Sequence, residues 1–459
     1  MKTRIFPEML EINRSGSPGL RRGIAALSFL MIVLAPAAWA QKTWIGASGD
    51  GGVGDWVGEN FNPGGLPTTA TSGTANNVQF DNEHGPLVNA TVTIRSGVAA
   101  KARQLLVKNK KVATIELENN SSLTVNDGII GVGGGSTVQG DMSLAFIGPE
   151  TGLASITGTR LYLEGDNINA GTSYMKALTL SGNLNVNLTT SYSGVSGRAS
   201  ITVLDGVNIT TAGGAGQFYI RTGGKAANSN IYDNRISILG GSVAANLFVV
   251  SSSVSGSVGS GLLQMGSAAQ ITRGAGAAGL EVEVRNGGRF EAAGAGLSSE
   301  ALIDVQGGGT LAVGVTDQVT GLRGGAEIFT LSADATFAAN SYVEFSLFGS
   351  GAEGADHIVI GETGSFKNPD AGAGAQLVLK LNGGFAPAYG ESWSLFTVDE
   401  NSAGITGDFN FSQIDQNLWD LSNFNEAGNW TVMAIPEPSA LGLLAVAGAI
   451  GVALARRKK

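Results

Sequence analysis

Cysteine is absent from the 459 residues, and histidine occurs only twice. No disulfide, thiolate-bound zinc, iron–sulfur cluster or cysteine nucleophile can therefore form. Charge is sparse, at 14% of residues, and aromatic side chains make up 7%. The net charge of −9 is unevenly spread: residues 1–40 hold five Lys/Arg against two Asp/Glu, and residues 436–459 hold four against one. The stretch between them has 19 basic and 34 acidic side chains, which repel a phosphate backbone, so no nucleic acid partner is expected. GxSxG, HExxH, Walker A and EF-hand patterns are missing, which removes the sequence footing for nucleophile elbows, zinc peptidases and common nucleotide sites. Helical periodicity is scarce as well.

What is present is glycine, 70 residues of it, with 43% hydrophobic residues and a mean hydropathy of +0.14. That apolar content offsets the entropy of ordering a long backbone, so a folded, turn-rich, strand-rich chain is expected.

The two ends read as addresses. A basic stretch ending at Arg21 and Arg22 meets the apolar segment 23–35, then Pro36 and Ala38-Trp39-Ala40. Positive, apolar and small-x-small in that order is a secretory signal peptide over residues 1–40, with cleavage between Ala40 and Gln41. The arginine pair lacks the fuller twin-arginine pattern, so the general secretion translocon is the expected partner. The alternative is a buried core helix, which would have no partner helices to bury against. At the other end, Pro436-Glu437-Pro438 precedes the uncharged run 440–455 and the cluster Arg456, Arg457, Lys458, Lys459. As a helix that run covers about 25 Å, enough for a thin bilayer, and the basic tail should remain cytoplasmic.

These three parts in order resemble the PEP-CTERM sorting signal of Gram-negative bacteria. The resemblance implies recognition by an exosortase, a membrane cysteine transpeptidase that cuts near the Pro-Glu-Pro motif, and association with exopolysaccharide or envelope glycans. The proline pair suits recognition, because it keeps the backbone extended and removes two N–H donors from competing structure. A plain tail anchor is the alternative.

Between the ends, short alternating runs recur: 91–94, 114–118, 122–125, 183–188, 200–203, 235–238, 281–284 and 301–305. Period-two alternation rich in Val, Ile and Thr marks half-buried strands. Corners such as Asn126-Asp127-Gly128, Asn286-Gly287-Gly288 and Gly307-Gly308-Gly309 supply the positive φ that sharp turns need. The pattern predicts an all-β protein with a right-handed parallel β-helix over residues 89–335; a pair of β-sandwiches is the competing architecture.

Open solenoid ends need covers. An N-terminal cap is expected over residues 41–88, where Thr43-Trp44, a glycine-rich stretch, Asp55-Trp56 and Asn60-Phe61-Asn62-Pro63 resemble the opening of passengers with autotransporter-associated β-strand repeats. A C-terminal β-rich module is expected over 336–434. There Asp356-His357, the strand 376–381, Trp393 and Trp419-Asp420-Leu421 resemble the closing module of such exported proteins. The sorting signal occupies 435–459.

Candidate chemistry is thin, and no catalytic residue, metal or cofactor is assigned. Gly274, Gly276 and Gly279 spell a dinucleotide fingerprint but lead into a strand, where no helix N-terminus can hold a pyrophosphate. Gly51 to Asp55 resembles a single calcium-binding nonapeptide, one residue short. His84 and His357 each stand beside an acid and read as turn residues. Glu116/Glu118 and Glu281/Glu283 place carboxylates about 7 Å apart on one strand face, a spacing glycosidases use, though alternation makes this the wet face. Lys108, Lys110 and Lys111 form the only tight basic group and read as a soluble turn.

The expected role is a non-enzymatic exported component of the cell surface or extracellular matrix, structural or adhesive, acting through many weak contacts. A β-helix polysaccharide lyase or glycoside hydrolase acting on acidic glycans is the alternative. An autotransporter would need an outer-membrane barrel, for which residues after Trp430 leave no room.

Overall fold

The computed structural model describes residues 42–435, apart from 45–52, 58–60, 63–76, 81–88, 108–111, 127–141, 165–174, 191, 212–215, 222–231, 233, 253–259, 370–373, 423 and 425–429. These residues form an all-β protein dominated by long parallel sheets, as expected of a solenoid. A first sheet has twelve strands, from Val53–Asp55 and Ala90–Ile94 through to Tyr342–Leu347 and Gln376–Leu381. A second has seven, from Ala99–Ala102 to Gln270–Arg273, and a third has nine, from Tyr162–Glu164 to Gly404–Thr406. Each is parallel, and the chain visits them in rotation: Lys176–Ser181, Leu184–Leu188 and Tyr192–Ser196 make one coil, and Ala199–Val203, Val207–Thr211 and Gln217–Arg221 the next.

Alternation decides the core. In the first sheet the register aligns Val92, Ile115, Phe146, Leu180, Val203, Ile238 and Met265 in one column. All are buried. Leu123, Ile156, Val186, Ile209, Val243 and Ile271 form the matching column of the second sheet. Each such aliphatic side chain contributes about 1.5–3 kcal/mol on burial, so stacking coils supplies the core that a single coil lacks. The outward positions of the second sheet are Ser122, Ser155, Asn185, Asn208, Ser242 and Gln270, linked by hydrogen bonds such as Ser242 Oγ to Asn208 Oδ1 at 2.6 Å.

The ladders do not stop at residue 335, the expected edge of the β-helix. Tyr342–Leu347 pairs in parallel with Thr310–Val313 on one side and Gln376–Leu381 on the other, and Asp334–Phe337 pairs with Ser365–Lys367. A three-stranded sheet, Ile328–Leu331, His357–Ile360 and Phe396–Val398, accompanies these coils. Toward the C-terminal end an antiparallel sheet forms from Ser392–Ser394, Thr431–Ala434 and Trp419–Asp420. At the other end, Lys42–Trp44 pairs antiparallel with Phe61–Asn62 and parallel with Asn77–Phe80.

The signal peptide over residues 1–40 and the expected transmembrane helix over 440–455 lie outside the described residues. Among those described, the only named helical element is the 3-10 turn Ala352–Gly354, and no helix is long and apolar enough to cross a membrane.

Candidate functional site

The last strand leads directly to the Pro-Glu-Pro triplet. Thr431–Ala434 is the middle strand of the antiparallel sheet, between Ser392–Ser394 and Trp419–Asp420. Val432 faces Trp393 and Ala434 faces Trp419 in register, and all four are buried. Ala434 N donates to Glu391 O at 2.8 Å, Gly390 N donates to Ala434 O at 2.9 Å, and Ile435 N donates to Leu418 O at 3.0 Å. Beneath lies an aromatic cluster: Trp393 meets Trp419 edge-on at 5.8 Å, and Phe396, Phe409, Phe424 and Trp430 pack edge-to-face or tilted at 5.5–6.4 Å. A depression of about 470 Å³ opens beside the chain's exit, lined by Phe411, Gln416, Trp419, Leu421 and Ile435 among others.

A second arrangement escaped sequence reasoning. Strands Gly261–Met265 and Gly288–Ala292 are buried on both faces, and Thr316, in the segment 314–327 that forms a strap here, bonds to the outward Gln264 and Glu291. Gln264 Nε2 donates to Glu291 Oε2 and to Thr316 O, both at 2.7 Å, and Thr316 N and Oγ1 donate to Glu291 at 2.9 and 2.8 Å. Arg289 donates to Glu291 at 2.8 Å and to both oxygens of Glu344 at 2.5 and 3.0 Å, and Lys380 Nζ lies 2.8 Å from Glu344. Burial works against the Glu344 carboxylate, yet Arg289 and then Lys380 bring its pKa down to about 2. Further along the strap, Arg323 donates to both oxygens of Asp356, which also accepts from Glu327 N at 3.0 Å and Ser346 N at 2.8 Å. Burial pushes the Asp356 carboxyl up despite Arg323. The alternation of Gly288 to Ala292 gave no sign of this cover, since the strap comes from a later coil; the only local signal was unlike charges at 289 and 291.

The residues singled out in the sequence do not converge on one place. Glu118 accepts from Arg95 Nη1 at 2.7 Å and Ser96 N at 2.8 Å, and the Ser96 amide followed by Arg95 holds its pKa below the usual range. A glycosidase acid needs the reverse. Glu116 shares with it an open groove of about 620 Å³ lined also by Thr93, Arg95 and Asn119. Glu281 is pushed up by burial and then by Glu283 and Asp304, while Glu283 is bonded to Arg285 at 2.7 Å and Gln306 at 2.5 Å. His357 has Ser394 O at 2.9 Å from Nδ1 and Thr397 Oγ1 at 2.8 Å from Nε2, so both ring nitrogens are occupied. Among the described residues no three His, Asp or Glu side chains come together as a metal site would need. Residues 274–279 form a turn that enters the strand Leu280–Val284. Asp55, which ends the nonapeptide-like stretch, pairs with Arg95 Nε at 2.9 Å. Ala38, Ala40, Gln41, His84, Lys108, Lys110, Lys111, Pro436, Glu437, Pro438 and Arg456 to Lys459 lie outside the described residues.

Residues 434–458 match the family model of the PEP-CTERM protein-sorting motif. The match marks a C-terminal sorting signal for exosortase-dependent export, with exosortase as processing partner and a membrane-anchored precursor. No curated protein matches this chain in sequence.

Proposed function

We propose that the chain is a non-enzymatic structural or adhesive protein of the cell surface or extracellular matrix, exported through the secretion translocon and associated with exopolysaccharide or envelope glycans. The observation that carries this reading is a sorting signal joined to parallel sheets of twelve, nine and seven strands. Stacked coils repeat one outward chemistry, hydroxyl and amide groups on the second sheet, about every 4.8 Å. Many weak polar contacts in a row give retention by avidity without a pocket. A right-handed winding of the coils agrees with the near-universal hand of parallel crossovers. The passenger is proposed to be of the autotransporter-associated repeat kind. Before processing, the apolar run 440–455 holds the chain in the membrane as a helix.

One arrangement favours a glycan-cleaving alternative: the raised Glu281 carboxyl beside Glu283 and Asp304 on the third sheet. Two measurements separate the readings. Envelope fractions should retain the wild-type protein and lose it when residues 436–459 are deleted. Acidic polysaccharides incubated with the mature protein should release neither unsaturated nor reducing ends; their release would overturn the non-enzymatic assignment.

A further inference from the structure

We infer that Arg160, Tyr162, Tyr192, Tyr219 and Arg221, on the third sheet, form a binding row for the carboxylates of an acidic saccharide chain. This rests on the glycan-associated reading and locates its charged contact. Strands Tyr162–Glu164, Tyr192–Ser196 and Gln217–Arg221 are neighbours in that sheet, and each brings one half-buried tyrosine to the outward face. The rings stack in order, with centroids 5.6 Å and 5.1 Å apart. In the coils that follow, the positions in register with Tyr219 are Val249, Glu283, Asp304 and Thr336, so the sheet itself does not call for aromatic rings there. Arg160 lies 5.3 Å from the Tyr162 centroid and Arg221 4.9 Å from that of Tyr192. Arg95, Arg273, Arg285, Arg289 and Arg323 all pair with carboxylates, whereas Arg160 and Arg221 form no ion pair with any described residue.

Contact with a ring engages the plane of a guanidinium and leaves its N–H fork, which matches a carboxylate bidentately. Stacked rings likewise hide their negative faces and keep their positive edges. Forks and edges together favour oxygen acceptors. With the ring faces largely taken by one another and by guanidinium, a nucleobase has little to stack on, which separates this row from a nucleic acid site. Three coils at the parallel-strand spacing span about 10 Å, more than one sugar ring, so the fitting ligand is an extended chain. The mature region is acidic overall, but beyond a Debye length of about 8 Å at physiological ionic strength its carboxylates are screened, while a ligand in contact meets the two arginines directly.

The test titrates the mature protein with polygalacturonate at physiological salt, and with its methyl ester, which keeps the sugar and removes the charge. Arg160→Gln and Arg221→Gln should each weaken polygalacturonate binding about tenfold, and the double variant should bind it no better than the ester. Lys101→Gln removes an exposed positive charge from the second sheet and should bind as the wild type does. Circular dichroism should show all variants folded. Absence of polygalacturonate binding, equal binding by the double variant, equal binding of the ester, or an equal loss with Lys101→Gln would each overturn the inference. Polyglutamate bound as tightly as polygalacturonate would overturn the saccharide assignment in favour of an acidic peptide. The glycan-associated reading is judged separately, by retention of the wild type on envelope fractions: with retention it survives failure of the row, and without retention it fails whatever the titration gives.

Discussion

Arg289 and Glu344 lie two coils apart in the first sheet, and the strap over 314–327 closes water out above neighbouring positions. Removing one partner of such a pair leaves an uncompensated buried charge, which typically costs about 3–5 kcal/mol, whereas both together add little over apolar packing. Glu344→Gln should therefore destabilise the folded chain by about 3 kcal/mol at neutral pH, read from urea unfolding. The sign with pH follows from the depressed carboxyl: its folded pKa of about 2 lies below the unfolded value, so its stabilisation is complete above the ordinary glutamate pKa and is lost as pH falls toward 2. The gap between wild type and variant should stay constant above pH about 5 and close between about 4 and 2. A gap independent of pH down to 2 would mean that Glu344 is not held ionised. Asp356 works in the opposite sense, since its raised folded pKa favours the acid form and its contribution is lost as pH rises.

Single strands were the most legible elements. Ser122–Val125, Leu280–Val284 and Ala301–Val305 fall where period-two alternation puts them, because each has one wet face and one dry face. Strands dry on both faces, such as Gly261–Met265, lose that alternation, and their cover cannot be read locally. The third sheet shows a subtler dependence. Gly194 is aligned between Tyr162 and Tyr219, and the vacant side-chain position admits the ring of Tyr192, whose centroid lies 5.6 Å from Tyr162 and 5.1 Å from Tyr219. Arg221 caps the stack 4.9 Å from the Tyr192 centroid, and burial pushes the Tyr192 hydroxyl up to about 12. Gly194 has φ +148, and a Cβ there would stand 2.0 Å from Tyr219 O. Gly194→Ala should thus cost about 2–3 kcal/mol, from backbone strain plus displacement of the stack. A loss below about 0.5 kcal/mol in denaturant titration would show that the strand shifts freely to accept a side chain.

At the scale of the whole molecule, the ends differ from the shaft in composition, and that difference gives a separable signal. The tryptophans are Trp39, Trp44 and Trp56 near one end and Trp393, Trp419 and Trp430 near the other, with none between. The aromatic density of residues 336–434 was visible in the sequence, but not that coils of the parallel sheets continue through much of that range; parallel and antiparallel strands of the same composition read alike. In a stack of coils, stability is close to a sum of local terms, so a lesion in the cap weakens the cap before the shaft. Trp393 is fully buried, edge-on to Phe385 and Trp419, and its indole N–H donates to Gly349 O at 2.9 Å. Trp393→Ala removes about 3–5 kcal/mol of packing from that one layer. Fluorescence from Trp419 and Trp430 should then change at a distinctly lower temperature than in the wild type, while far-ultraviolet circular dichroism, dominated by the shaft, should melt where it did before. If both signals move down together, the cap and the coils form a single cooperative unit, and the strand that carries the sorting signal draws its hold from the whole stack.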